Sequence, residues 1–240
     1  MTSGKGGTGK TTCTGAISSA LAKLGHSTVC VDCDIGLKNL DLVLGLSDSS
    51  VWDFSDVMEG RTTLDIAIVP HPDIENLYFL PAPSNISPED IDPAAFKELI
   101  AELKDRYEYC LLDSPAGLGC GFRLAADNAD SAIVVSTADA SSLRDGQRTV
   151  SSLYRSGVKD IRLLVNRVCP QALRTVKATI DDVIDVVGAR LIGLVSEDES
   201  VPLAANMEVP LLEFGAKKAY DQFMRIARRI AGERIPLGKF

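Results

Sequence analysis

The chain lacks the features that would place it in a membrane, a secretory route or a disulfide scaffold. No run approaches the roughly 18 consecutive apolar residues of a membrane span. The opening residues are polar and glycine-rich, not the basic-then-apolar order of a signal peptide. Positive charge is not in excess: 25 Lys and Arg face 33 Asp and Glu, a formal net charge of −8. That balance argues against a surface coated with nucleic acid and leaves room only for a local basic patch. There is no internal repeat, low-complexity tract or long linker. The six cysteines (Cys13, Cys30, Cys33, Cys110, Cys120 and Cys169) sit mostly among apolar neighbours, as small buried residues do, and imply no disulfide framework. Cys30 and Cys33 spell C-x-x-C, but an offset of three along a strand points them to opposite faces, against chelation of one metal. What is present is a 45 % apolar content over 240 residues, enough for a sizeable core. The expectation is a soluble, cytoplasmic protein folded as one domain over residues 1–240.

Apolar runs alternate with helical patterns from start to finish. Strands are predicted at Thr28–Asp32, Leu77–Leu80, Tyr109–Asp113, Ser131–Ser136, Ile161–Asn166 and Leu191–Val195. Helices are predicted at Lys10–Leu24, Asp92–Arg106, Ser141–Tyr154, Thr179–Val187 and Ala216–Ala231. Asp92-Pro93 is a good helix start, with Asp at the N-cap and Pro at the first helical position. This βαβα rhythm predicts an α/β fold, a mostly parallel sheet with helices on both faces.

The segment Gly4-Lys5-Gly6-Gly7-Thr8-Gly9-Lys10-Thr11-Thr12 matches G-x-x-x-x-G-K-[ST] and runs directly into a helix pattern. Its glycines let backbone N–H groups turn inward around phosphate oxygens, and the helix that follows presents its positive end. Lys10 is positioned for the β/γ-phosphates and the Thr11 hydroxyl for Mg²⁺. A full match of this length makes nucleotide binding the reading of choice over a glycine-rich turn. Lys5 is an extra cation ahead of the central glycines, able to neutralise charge on a transferred phosphoryl group as an arginine finger does.

With that second lysine, K-G-G-x-G-K-T-T resembles the deviant Walker A loop of the MinD/ParA superfamily of P-loop ATPases. The resemblance extends over nearly the whole chain and implies ATP and Mg²⁺ as ligands, slow hydrolysis coupled to assembly, and an ATP-dependent homodimer in which Lys5 reaches the partner's nucleotide. Asp32–Leu42 resembles the superfamily's first switch segment. It implies that Asp34 orients the attacking water, that Asp32 supports the metal shell, and that Asn39 lies toward the dimer face. A carboxylate at the C-terminal end of a strand suits that work in its own right. Leu111–Gly117 is similar to the second switch, so that Asp113 holds Mg²⁺ through water and Gly117 approaches the γ-phosphate. Val135–Asp145 resembles the segment whose acids hold the first lysine, which makes Asp139 and Asp145 candidate anchors for Lys5. Asp139 reads equally as the N-cap of the next helix. Asn166 falls where the superfamily reads adenine with an amide, and Ser196–Val201 resembles a late loop that borders the base.

These motifs fit the MinD group, the ATPases of septum-site placement, more closely than the ParA group, and a MinC-type or MinE-type partner follows from that resemblance. Two expectations run against a full transfer. Members of the group carry a hydrophobic strand ahead of the phosphate loop. Here only Met1-Thr2-Ser3 precedes Gly4, so this first strand is expected to be missing and an upstream start is favoured. The group's membrane-binding C-terminal amphipathic helix is also not apparent before Phe240. The basic helix pattern near Ala216–Ala231 reads as the domain's last helix, apolar face inward, rather than as a surface for the inner face of the membrane. Three alternatives stay open: a ParA-type partition ATPase acting on DNA or a soluble cargo, an iron–sulfur carrier suggested by Cys120, and a small-molecule ligase with a similar loop. DNA is the less favoured partner on charge.

Overall fold

The structure is a computed structural model and describes residues 1–35, 38–47, 49–175 and 177–237. Gly36 and Leu37 of the first switch-like segment therefore lie outside the described residues. In chain order the strands are β1 (Thr28–Asp32), β2 (Val69–Pro70), β3 (Leu77–Leu80), β4 (Tyr109–Asp113), β5 (Ser131–Ser136), β6 (Asp160–Val168) and β7 (Arg190–Ser196). The helices are α1 (Lys10–Lys23), α2 (Leu40–Leu44), α3 (Phe54–Met58), α4 (Leu64–Ala67), α5 (Pro93–Arg106), α6 (Cys120–Ala126), α7 (Ala140–Arg155), α8 (Pro170–Thr175), α9 (Ile180–Val187), α10 (Ser200–Asn206) and α11 (Lys217–Ile230). Every strand and helix expected from periodicity is present, with ends displaced by a few residues at most. The added elements are short: β2, and α2, α3, α4, α6, α8 and α10 in the connections.

Four strands form one sheet in the order β2-β3-β1-β4, and three form another in the order β5-β6-β7; all pairs are parallel except β2 with β3. Met1–Ser3 joins them. The Met1 amine donates to the Leu112 carbonyl at 2.8 Å, and Ser114 N–H donates back to the Met1 carbonyl. On the other side Thr2 N–H donates to Ile133 and its carbonyl accepts from Val135 N–H, an isolated parallel bridge centred on Thr2 and Val134. The position expected of a first strand is thus held by three residues, without a strand of its own. Below Met1, toward the starts of β4 and β5, lies a cavity of about 200 Å³ lined by Leu21, Ile100, Leu111, Ile133 and Ile230 among others. Burial pushes the Met1 amine down to about 6.

The period-two alternation of the strands sorts the core into two layers. Cys30, Leu77 and Phe79 face α1 and α2, and Val135, Leu164, Ile192 and Val195 face α1 and α11. Val29, Val31, Leu80 and Leu112 face α5 on the opposite side, while Val134, Leu163, Val165 and Leu194 face α7 and α9. Cys30 and Cys33 fall into different clusters, as an offset of three requires. The last helix packs inward: Ala219, Phe223, Ile226 and Ala227 are buried against α1 and β7. Its Arg229 reaches past the helix end and donates to the carbonyls of Ile192, Ile235 and Pro236 at 2.7–2.8 Å.

Candidate nucleotide site

The candidate residues gather at the C-terminal ends of the parallel strands, where loops leave the sheet and helix N-termini arrive. Gly9 caps α1 in the left-handed region, φ 84°, and Gly7 has φ 79°, conformations that glycine adopts freely. Gly4 is needed for another reason. A Cβ there would lie 2.4 Å from the Asp145 carbonyl oxygen, so the loop starts hard against α7. Gly6 and Gly7 are exposed, Thr8 is buried, and Thr11 and Thr12 are half-buried on the first turn of α1.

Lys10 turns back into the protein. Its ammonium lies 2.7 Å from Asp113 Oδ1 and donates to Thr11 Oγ1 at 3.2 Å; its side chain is 7 % exposed and that of Asp113 is 1 %. Thr14 Oγ1 donates to the same Asp113 oxygen at 2.6 Å. Asp113 Oδ2, by contrast, is buried without a partner among the described residues. Asp32 stands in register beside Asp113 on the adjacent strand. Its two oxygens accept from Asp34 N–H at 2.8 Å and Leu40 N–H at 3.3 Å. Burial first, and the neighbouring Asp113 charge second, push the Asp32 carboxyl up to about 7. Asp34 is half-buried, and burial is also the largest cause of its raised pKa.

An orphaned buried carboxylate oxygen, a second carboxylate in register and the nearby Thr11 hydroxyl make an all-oxygen donor set. That is the chemistry of a hard divalent cation, so the residues fit Mg²⁺. Thr8 Oγ1 is likewise a buried oxygen without a partner among the described residues.

Lys5 is exposed and rests on its own chain. Its ammonium lies 2.8 Å from Ser141 Oγ and 3.5 Å from Asp139 Oδ1. Asp139 is at once this contact and the N-cap of α7, accepting from Ser142 N–H. The hydroxyls of Ser141 and Thr137 hold its carboxyl well below the usual carboxylate range. Asp145 stands apart from Lys5: its carboxylate is 3.6 Å from Arg148, and its backbone abuts Gly4. Asn39 is exposed at the start of α2. Gly117, φ 88°, donates its N–H to the Ser3 carbonyl, which docks the second switch-like loop on the residues ahead of the phosphate loop. Asn166 is buried and donates from Nδ2 to the Thr8 carbonyl at 2.8 Å.

Beside the loop opens a cavity of about 490 Å³ lined by Lys5, Gly7, Thr137, Arg167, Leu173 and Glu197, among others. Arg167 is 2.9 Å from Glu197 at its rim, so the late loop comes to the same place. Cys120 lies away from this cluster, its thiol against the Pro88 carbonyl. Thr14 and Ser141 are the two contacts the sequence reading missed. Thr14 is four residues after Lys10 on one helix face and Ser141 is two after Asp139, but the partner each one meets, Asp113 and Lys5, lies far away in the chain.

A glycine-rich loop between a central sheet position and a helix, with a lysine on a strand-end aspartate, defines a P-loop nucleotide-binding fold. The comparisons sharpen this. The model of the CobQ/CobB/MinD/ParA nucleotide binding domain matches residues 1–211, and the chain belongs to that family. It is 38 % identical to the septum site-determining protein MinD of Synechocystis over 242 residues, all of this chain and 91 % of that protein. Its fold is similar to that of MinD in the MinC:MinD cell division protein complex of Aquifex aeolicus, with a TM-score of 0.92, 36 % identity, and 100 % and 97 % of the two chains covered. The Pyrococcus horikoshii MinD complexed with Mg-ADP aligns with a TM-score of 0.84 at 30 % identity, over 95 % and 93 % of the chains.

Proposed function

We propose that this protein is a MinD-type ATPase, a single-domain Mg–ATP switch that dimerises with ATP bound and acts in placing the division site on the cytoplasmic side of the cell. The observation that carries the reading is the pair of lysines on one glycine loop, Lys10 buried on Asp113 and Lys5 held at the start of α7. In this reading Gly4, Gly6, Gly7, Thr8, Gly9, Lys10, Thr11 and Thr12 hold the phosphates. Thr11 and Asp113, supported by Asp32 and Asp34, would hold Mg²⁺, which supplies positive charge against the phosphate oxygens. Asp34, half-buried just beyond the end of β1, orients a water toward the γ-phosphorus. The new P–O bond forms as the bond to the β-phosphate oxygen breaks, leaving ADP and inorganic phosphate.

Lys5 would leave Asp139 and Ser141 to reach the nucleotide of the partner subunit, with Asn39, Asp139 and Asp145 on the dimer face and Gly117 moving from Ser3 toward the γ-phosphate. Asn166 and the Arg167–Glu197 rim would border the base. A protein partner of the MinC type is favoured by the similarity to MinD of the Aquifex MinC:MinD complex. No helix among the described residues is long and apolar enough to cross a membrane. Because α11 spends its apolar face on α1 and β7, a bilayer would have to be reached by other residues.

Titration with a fluorescent ATP analogue tests the site directly. Binding by the unaltered chain is expected, and Lys10→Ala should weaken it by about a hundredfold or more, since it removes a buried charge-assisted contact. Unchanged affinity would reject the assignment.

A further inference from the structure

Asn166 does more in this fold than stand near a base. It lies close to the end of β6, where the ladder to β7 slips between Val165 and Val168 and the next residue, Arg167, turns into the left-handed region at φ 54°. The slip carries the Asn166 side chain over the phosphate loop. There its Nδ2 donates to the Thr8 carbonyl at 2.8 Å in a buried setting. The fit is close: a Cβ on Gly9 would fall 2.4 Å from that same nitrogen.

The consequence follows from peptide geometry. In a trans peptide the carbonyl of one residue and the N–H of the next point in opposite directions. Holding the Thr8 carbonyl toward Asn166 therefore turns the Gly9 N–H away from it. An anion-binding loop needs its carbonyls directed outward and its N–H groups free for the ligand, or the oxygens would repel the phosphates. Resting on the nucleotide reading of this loop, we propose that Asn166 is a positioning residue for the phosphate loop, its amide fixing the Thr8–Gly9 peptide in the anion-binding orientation. This role acts on the phosphates, and it leaves the amide Oδ1 available to a base.

Inorganic tripolyphosphate, which has phosphates and no base, separates the two roles. Binding of tripolyphosphate, ATP and GTP, each with Mg²⁺, is measured calorimetrically for the full chain and for Asn166→Asp and Asn166→Ala. Loop positioning predicts that tripolyphosphate affinity falls roughly tenfold for the loss of one buried hydrogen bond, and that ATP and GTP affinities fall at least as far. Tripolyphosphate affinity left intact while ATP affinity falls would overturn the proposal in favour of base reading. Failure of the unaltered chain to bind any of the three would instead overturn the nucleotide reading beneath it. Should both variants unfold, the unaltered chain decides: the Asn166 side-chain amide protons are expected to exchange slowly in NMR spectra without ligand, and fast exchange would overturn the anchoring.

Discussion

The ammonium of Lys10 lies 2.7 Å from Asp113 Oδ1, and both side chains are removed from water. A buried pair of this kind adds little over an apolar replacement, whereas removing one partner strands the other and costs about 3–5 kcal/mol. Lys10→Met is therefore expected to lower the unfolding free energy by about 3 kcal/mol, because Thr14 alone is left to satisfy the carboxylate. Adding Asp113→Asn should recover about 1 kcal/mol or more of that loss, since the stranded charge is then gone. Urea unfolding of the two single variants and the double variant checks this. Additive losses would show that the charges do not depend on one another.

Lys5 has the opposite balance. Its contacts to Asp139 and Ser141 are about half exposed, so they contribute at most a few tenths of a kcal/mol, roughly the range of surface pairs. Lys5→Ala should leave the melting temperature within a degree or so and spare ATP binding, yet block hydrolysis that depends on the dimer. Phosphate release measured against protein concentration is the readout. Undiminished concentration-dependent turnover would remove Lys5 from the reaction.

The pH dependence of stability without Mg²⁺ is set in part by Asp32. Its folded carboxyl is raised to about 7, against 3.8 for a solvated aspartate. Between those values the folded chain keeps a proton that the unfolded chain releases, so stability from this group is full below about pH 4 and is lost as pH rises through 7. Denaturation midpoints of the unaltered chain should fall relative to those of Asp32→Asn over that window and run parallel above it. A constant difference from pH 4 to pH 8 would contradict the burial of this carboxylate beside Asp113.

The thiols of Cys13, Cys30 and Cys33 are fully buried, and burial raises all three, Cys30 to about 12. Native protein treated with iodoacetamide at pH 8 should therefore carry the label at the half-buried Cys120 and Cys169 first, as mass spectrometry of its peptides would show. Early labelling of Cys13 would mean that α1 does not pack on the sheet as described.

Much of this architecture could be read from the chain in advance, and the reasons are local. The strand from Thr28 to Asp32 and the helix from Lys10 carry their own period, and Asp92-Pro93 announces a helix start. The phosphate loop is legible because its glycines and lysine act through backbone conformation, which spacing alone specifies. Short elements such as α3 and β2 are too brief for periodicity to register, and tertiary contacts decide them. The pairing of Lys5 with Ser141 and that of Thr14 with Asp113 span 136 and 99 residues, so no local pattern could carry them. The superfamily resemblance points Asn166 toward the base. Its bond to Thr8 depends on the slip between β6 and β7, which no residue pattern announces.

The triple grip of Arg229 on Ile192, Ile235 and Pro236 fixes the segment that follows α11 near the start of β7. Asp32, Asp113 and Asn166 lie at or near the opposite, C-terminal ends of their parallel strands. Cargo attached behind this clamp, whether a fluorescent reporter, an affinity handle or a lipid-seeking peptide, would be tethered at the pole remote from the nucleotide. Such grafts can be exchanged without trespassing on the chemistry, and severing the clamp with Arg229→Ala would loosen the tether before it disturbed the loop.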